Sequence, residues 1–253
     1  ARPLFRGHYQ PRVPSELGYY DLRLPEVREQ QAALAREHGI EGFCYWHYWF
    51  GNGKRLLERP FNEVVGSGKP DFPFCLSWAN HSWQDKQFSK EGTERLLIEQ
   101  RYGGEEDFRM HFDALLPAFL DKRYVRVDGK PLFQIYQPLK FPGVEKFIEF
   151  WQALAQQNGM PGIHFVGHTL LEEDTDSILQ KGFDAVNMVR LYHFYKHQYS
   201  LPERAFMKIR RLWLKHGSIF DYEKLWPYFS DPADRQENIY PTIIPNWDHS
   251  PRS

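Results

Sequence analysis

Ile40-Glu41-Gly42-Phe43-Cys44-Tyr45-Trp46-His47-Tyr48-Trp49-Phe50 is an apolar and aromatic run closed by Gly51-Asn52-Gly53. A run of this length bounded by turn residues suits a strand buried on both faces. Immediately before it, Pro25 to His38 sets Val27, Ala33, Leu34 and Ala35 on one side, with Pro25 suited to a first helical turn and Gly39 to a stop. That predicts an amphipathic helix. After a stretch around Leu56 to Val65 with room for a short helix, a second run follows at Phe72-Pro73-Phe74-Cys75-Leu76-Ser77-Trp78-Ala79-Asn80. The local order is therefore helix, strand, helix, strand.

The alternation continues downstream. Phe108, Phe112, Leu115, Leu116 and Phe119 are spaced for one helical face, and Pro131 to Tyr136 reads as a strand. Val144, Phe147, Ile148, Trp151 and Leu154 form the next stripe, followed by a strand at Ile163 to His168. Leu170 to Lys181 is a weaker helix, and Ala185 to Arg190 the next strand. An insertion at about 192–238 precedes a last strand at Tyr240 to Trp247, whose two prolines argue against a central position. Alternating strands and helices imply parallel pairing through right-handed crossovers. No Gly-rich phosphate loop follows any of these strands, which favours a (β/α)8 TIM-type barrel over a doubly wound nucleotide-binding sheet. Six strands are expected from these runs, against the roughly eight that close such a barrel. The expected organisation is one barrel domain over residues 1–253, incomplete in this chain.

Bulk composition narrows the function. With 42% hydrophobic and 17% aromatic residues in 253, the chain is able to bury a large core. Thirty-three acidic residues balance 32 basic ones, so no global field favours nucleic acid. Cys44 and Cys75 lie in apolar runs and read as small buried hydrophobes rather than a disulfide framework, which makes a reducing cytoplasm the expected location. No apolar stretch reaches the roughly 20 residues that span a bilayer.

In a parallel α/β barrel the reacting groups sit at the carboxyl ends of the strands. Here those ends carry His47, Tyr48 and Trp49; Trp78, Asn80 and His81; Tyr136; His168; Arg190; and Trp247 with Asp248. Aromatic faces stack on the C–H faces of sugar rings while Asn, His and Arg bond hydroxyls, so this mixture is expected to line a carbohydrate groove. Any single Trp or Tyr among them is better explained as core; the recurrence of polar residues at successive ends carries the functional reading. The histidines show no metal-ligand spacing, so no metal is expected, and no nucleophile elbow surrounds Ser77 or Ser82. Glycosyl transfer calls for carboxylates, or a carboxylate and a cation. The candidates are Asp248 with Arg252, and Glu99. The segment Ala205 to His216 sets Phe206, Ile209, Leu212 and Trp213 against Lys208, Arg210, Arg211 and Lys215. Such a helix either rests on an anionic membrane surface or a lipid diphosphate, or packs its apolar face on the barrel. The second is expected here.

Several strings then resemble a known family. Gly7-His8-Tyr9-Gln10-Pro11-Arg12, Leu17-Gly18-Tyr19-Tyr20-Asp21-Leu22-Arg23, the run Gly39 to Phe50, Trp78-Ala79-Asn80 and Trp247-Asp248-His249-Ser250-Pro251-Arg252 closely resemble WbsX-type glycosyltransferases, from end to end of the chain. The resemblance implies a sugar-active barrel similar to that of glycoside hydrolase family 99, the endo-α-mannosidases, and a role in bacterial surface polysaccharides such as the O-antigen of lipopolysaccharide. It implies a nucleotide-sugar donor as substrate with no resident cofactor and a glycan or lipid-linked oligosaccharide acceptor; the expected location is cytoplasmic, with the periphery of the inner membrane as the alternative. A hydrolase and a non-catalytic carbohydrate-binding barrel remain alternatives. The family's leading Ala-Phe-Tyr-Leu-Pro-Gln-Phe-His-Pro strand and its trailing Trp-Asn-Glu-Trp-x-Glu-Gly strand are absent from this sequence. They are the expected source of the two remaining barrel strands, and of the paired glutamates that the hydrolase resemblance would make acid and base.

Overall fold

A computed structural model of the chain describes residues 16–85, 95–190, 199–214 and 222–244. Its elements run α1 (Pro25–Glu37), β1 (Phe43–His47), α2 (Arg59–Ser67), β2 (Phe74–Trp78), β3 (Trp83–Asp85), β4 (Arg95–Ile98), α3 (Glu105–Phe119), β5 (Arg126–Val127), β6 (Lys130–Ile135), α4 (Val144–Gln157), β7 (His164–Thr169), α5 (Thr175–Leu179), β8 (Ala185–Met188), α6 (Leu201–Leu214), α7 (Tyr222–Leu225) and β9 (Ile239–Pro241). The main sheet has the order β1-β2-β6-β7-β8-β9, every neighbouring pair parallel, with β5 folded antiparallel onto β6. The six parallel strands are those the apolar runs predict. The described residues form an open sheet of barrel type, with β1 at one edge and β9 at the other.

One face of this sheet is packed against helices. Behind it, Tyr45, Phe74, Leu76, Trp78, Phe133, Ile135, Phe165, Val186 and Met188 meet α2, α3, α4 and α5 in one continuous core. The stripe of α4 is buried as predicted, and Trp151 at its centre has no exposed surface. Helix α5 comes so close to β7 that a Cβ on Gly167 would lie 2.3 Å from Ile178 Cγ2, which explains a glycine inside a strand. On α1 the buried positions are Arg28 and Ala32 while Ala33 is exposed; Arg28 turns inward because its guanidinium pairs with Glu63 at 2.9 Å.

Three expectations change. The first strand is not buried on both faces: Cys44 is exposed and Trp46 keeps 52% of its surface, because β1 is an edge strand and its front face meets no second wall among the described residues. For the same reason Cys44 is not a buried hydrophobe; it is in register with Cys75, and both thiols are free. On the helix at 201–214, Leu201, Phe206 and Ile209 are exposed and not packed on the barrel, while the side chains of Leu212 and Trp213 lie outside the described residues.

Candidate functional site

Side chains alternate across a strand, so the packing of Tyr45, Phe74, Phe133 and Phe165 behind the sheet sends Trp46, Ser77, Gln134, His168 and Asn187 to the front. Trp46, Ser77 and Gln134 are in register across β1, β2 and β6. Because Ser77 is small, the Trp46 indole reaches over it to Tyr136, which follows β6, with ring centroids 5.3 Å apart at 84°. Tyr136 stacks on His168 at 4.7 Å and meets His81 at 5.5 Å. The row Trp46–Tyr136–His168 thus crosses the carboxyl half of the sheet, and beneath it the Ser77 hydroxyl is buried without a hydrogen-bond partner.

His168 is held in one tautomer. Asn187 Nδ2 donates both its hydrogens, to the Tyr240 carbonyl at 3.0 Å and to Thr242 Oγ1 at 2.9 Å. Its Oδ1 must therefore accept, from His168 Nδ1 at 2.9 Å and from Gln134 Nε2 at 3.3 Å. The proton of neutral His168 sits on Nδ1, and Nε2 keeps a lone pair to which no described residue donates. Burial lowers the His168 pKa, partly offset by the Asn187 bond, so the ring stays neutral and Nε2 is an acceptor suited to a hydroxyl.

Beside this row is a groove of about 500 Å³ lined by His81, Ser82, Trp83, Gln84, Leu97, Gln137 and Lys140. The β3–β4 hairpin forms its wall, and Leu97 also lines a neighbouring groove of about 420 Å³ with Phe50, Asn52, Lys54, Glu99 and Arg101. His81 joins groove and ring row. Its pKa is lowered by burial and then by Lys140, and its Nδ1 is buried without a partner. Among the described residues, no carboxylate lines the His81 groove or belongs to the ring row. The described residues contain no cluster of three or more His, Cys, Asp or Glu able to hold a metal ion.

Of the strand-end residues singled out in the sequence, Tyr136, His168 and His81 come together here. His47, Trp49 and Trp78 do not: they lie buried behind the sheet. His47 Nε2 and His111 Nε2 are 2.7 Å apart, the Trp49 indole stacks on His111 at 4.5 Å and donates to Asp107 at 3.0 Å, and the Trp78 indole donates to the Trp49 carbonyl. Asn80 spends its amide on backbone, accepting from Gln137 N at 2.7 Å and donating to the Gln137 carbonyl at 3.0 Å, so it ties the β2 end to the β6 end. Tyr48 packs edge-on against Trp83 at 5.2 Å, in the hairpin wall. Glu99 is half exposed and paired with Arg101 at 2.7 Å, on the neighbouring groove. Trp247, Asp248 and Arg252 lie outside the described residues.

Arg190 is a clamp rather than a ligand contact. It is buried, bonds Asp234 at 2.6 Å in the turn before β9, and pairs with Glu172 after β7. Arg190→Ala leaves the nearly buried Asp234 carboxylate without its cation and is expected to cost about 3 kcal/mol in denaturant-unfolding free energy; a loss under about 0.5 kcal/mol would refute the clamp.

The His47–His111 pair sets a pH dependence. Burial holds His47 down to about 3, and His111 well below its usual range, with the neighbouring His47 as its next cause. Unfolded histidines titrate near 6.5, so below that pH the unfolded chain binds protons that the folded chain refuses. Stability is full above pH 6.5 and falls on acidification towards the folded values, by up to about 1.4 kcal/mol per pH unit for each histidine. Urea unfolding between pH 7.5 and 5 should show this slope, and the double substitution His47→Phe with His111→Phe should flatten it. An unchanged slope would exclude the pair as its source.

The sequence profile of the family described as "Glycosyltransferase WbsX" matches residues 1–253. The chain belongs to the WbsX glycosyltransferase family. "Uncharacterized protein WxcX" of Xanthomonas campestris pv. campestris strain B100 is 32% identical over 252 residues, covering 99% of this chain and 34% of that protein. The WxcX of a second strain of that pathovar matches at the same identity and coverage. The chain thus spans about a third of the length of these curated relatives. A solved "Glycoside hydrolase-like protein" aligns with a TM-score of 0.53 at 17% identity, over 92% of this chain and 66% of its own. The GH99 endo-alpha-mannosidase from Bacteroides thetaiotaomicron aligns with a TM-score of 0.45 at 16% identity, over 79% and 53% of the two chains. The WbsX chain shares a barrel-type α/β fold with the first of these.

Proposed function

We propose that this chain is the sugar-holding part of a glycosyltransferase of bacterial surface-polysaccharide assembly, and that the saccharide lies across Trp46, Tyr136 and His168 towards the His81 groove. The observation that carries this is the ring row with a fixed neutral acceptor at its end: two aromatic faces for sugar C–H groups, and the His168 lone pair for a hydroxyl. The Ser77 hydroxyl and His81 Nδ1 are buried beside the row with no hydrogen-bond partner among the described residues. Lys140 supplies the groove with a cation for a phosphorylated donor. The nucleotide-sugar is a substrate, and the acceptor is a glycan or lipid-linked oligosaccharide on the cytoplasmic side. With no carboxylate among the described residues of the ring row or its groove, Asp248 is the carboxylate proposed for the reaction.

A labelled oligosaccharide incubated with the full-length protein, with and without nucleotide-sugar, tests the reading. Growth that depends on donor is expected. Shortening in water alone would mark a hydrolase instead, and binding with neither outcome a non-catalytic carbohydrate-binding barrel.

A further inference from the structure

Over residues 201–209, helix α6 turns most of its apolar side chains to solvent. An amphipathic helix ordinarily buries its apolar stripe, yet here Leu201, Ala205 and Ile209, spaced i, i+4, i+8, face outward together with Phe206. The exposures of 77% for Leu201, 64% for Phe206 and 54% for Ile209 are those of side chains without a covering surface. The half-buried residues are Arg204 and Met207, on the opposite side, and Arg204 Nε donates to the Tyr199 carbonyl at 2.7 Å. The sole acid of the helix, Glu203, accepts from Ser200 N and Oγ at 2.8 and 2.7 Å, at the helix start.

The charge of the segment differs from that of the molecule. The chain as a whole carries a formal charge of −1, while Leu201 to Lys215 holds five basic residues, Arg204, Lys208, Arg210, Arg211 and Lys215, against Glu203 alone. Exposed apolar side chains combined with local positive charge match two properties of one partner: acyl chains below, anionic headgroups above. No helix among the described residues is long and apolar enough to cross a membrane, so contact through α6 would lie along the surface.

We propose that α6 is an interfacial helix that seats the protein on an anionic bilayer, with Leu201, Phe206 and Ile209 entering the headgroup–acyl boundary and Lys208 pairing with lipid phosphates. This rests on the helix and not on the sugar site. The test is cosedimentation of the full-length protein, purified without detergent, with vesicles of phosphatidylglycerol and phosphatidylcholine or of phosphatidylcholine alone. Partitioning onto the anionic vesicles is expected, at least tenfold stronger than onto neutral ones and weakened by salt. Phe206→Glu with Ile209→Glu should reduce it at least tenfold and leave the melting temperature unchanged. Equal binding by the double variant, or no binding to anionic vesicles, would overturn the proposal. So would a dimer that the variant splits into monomers, which makes the face a contact between copies. A lowered melting temperature in the variant would do the same, by showing that other parts of the polypeptide cover the face.

Discussion

Replacing Tyr136 with alanine is expected to raise the KM of the full-length enzyme for its saccharide roughly thirtyfold, with a smaller change in kcat. Tyr136 is the ring that touches Trp46, His81 and His168 at once. Its loss removes a stacking face and also frees the rings on either side, which then pay rotamer entropy on binding. A central aromatic anchor of this kind contributes about 2 kcal/mol, which is the factor of about thirty. Because Tyr136 is half-buried and on the front face, the variant should unfold at nearly the wild-type denaturant concentration. Tyr136→Phe should recover most of the affinity if stacking dominates. An unchanged KM in Tyr136→Ala would remove the ring row from the binding site.

The largest loss of stability is expected from Trp151→Ala. Trp151 has no exposed surface, lies 4.4–6.2 Å from the rings of Phe147, Phe133, His111, Phe112, Phe119 and Phe165, and donates its indole N–H to the Phe108 carbonyl at 3.0 Å. Alanine there leaves a cavity between α3, α4 and the back of the sheet and a helix carbonyl without its donor. About 3–5 kcal/mol should be lost, a large share of the roughly 5–15 kcal/mol that holds a domain together. Urea denaturation measures it, and a cost below about 1.5 kcal/mol would mean that the layer behind the sheet repacks. The sugar site would suffer only through folding, so saccharide affinity of the remaining folded fraction should be unchanged.

The contrast between these two residues shows how far the sequence can be read. Six parallel strands and the buried stripes of α3 and α4 follow from runs and spacings long enough to exclude alternatives. The β3–β4 hairpin was missed because its strands are only three and four residues long. Strand ends are equally legible as positions, but which side each residue faces depends on a phase of a single residue. In Tyr45-Trp46-His47 every residue is aromatic, so nothing in that run alone separates Trp46, on the front, from His47, buried behind. The phase was available elsewhere: Ser77 lies between Leu76 and Trp78, Gln134 between Phe133 and Ile135, and Asn187 between Val186 and Met188. Those isolated polar residues mark the front face, and counting from them places Tyr136 in front and Trp78 behind. Asn80 and Arg190 were legible as polar strand-end residues, but their partners, the Gln137 backbone and Asp234, lie 57 and 44 residues away in sequence and emerge only from the fold.

The account depends on the saccharide lying in front of the sheet and not in the aromatic layer behind it. Calorimetric titration of one acceptor oligosaccharide into the wild-type full-length protein, Tyr136→Ala and Trp49→Phe decides this directly, because each substitution alters an aromatic side chain at a strand end, on opposite faces. The account predicts wild-type affinity for Trp49→Phe and a roughly thirtyfold weaker isotherm for Tyr136→Ala, from about 2 kcal/mol of lost stacking. Undiminished binding by Tyr136→Ala, or an equal loss in a folded Trp49→Phe, would contradict it.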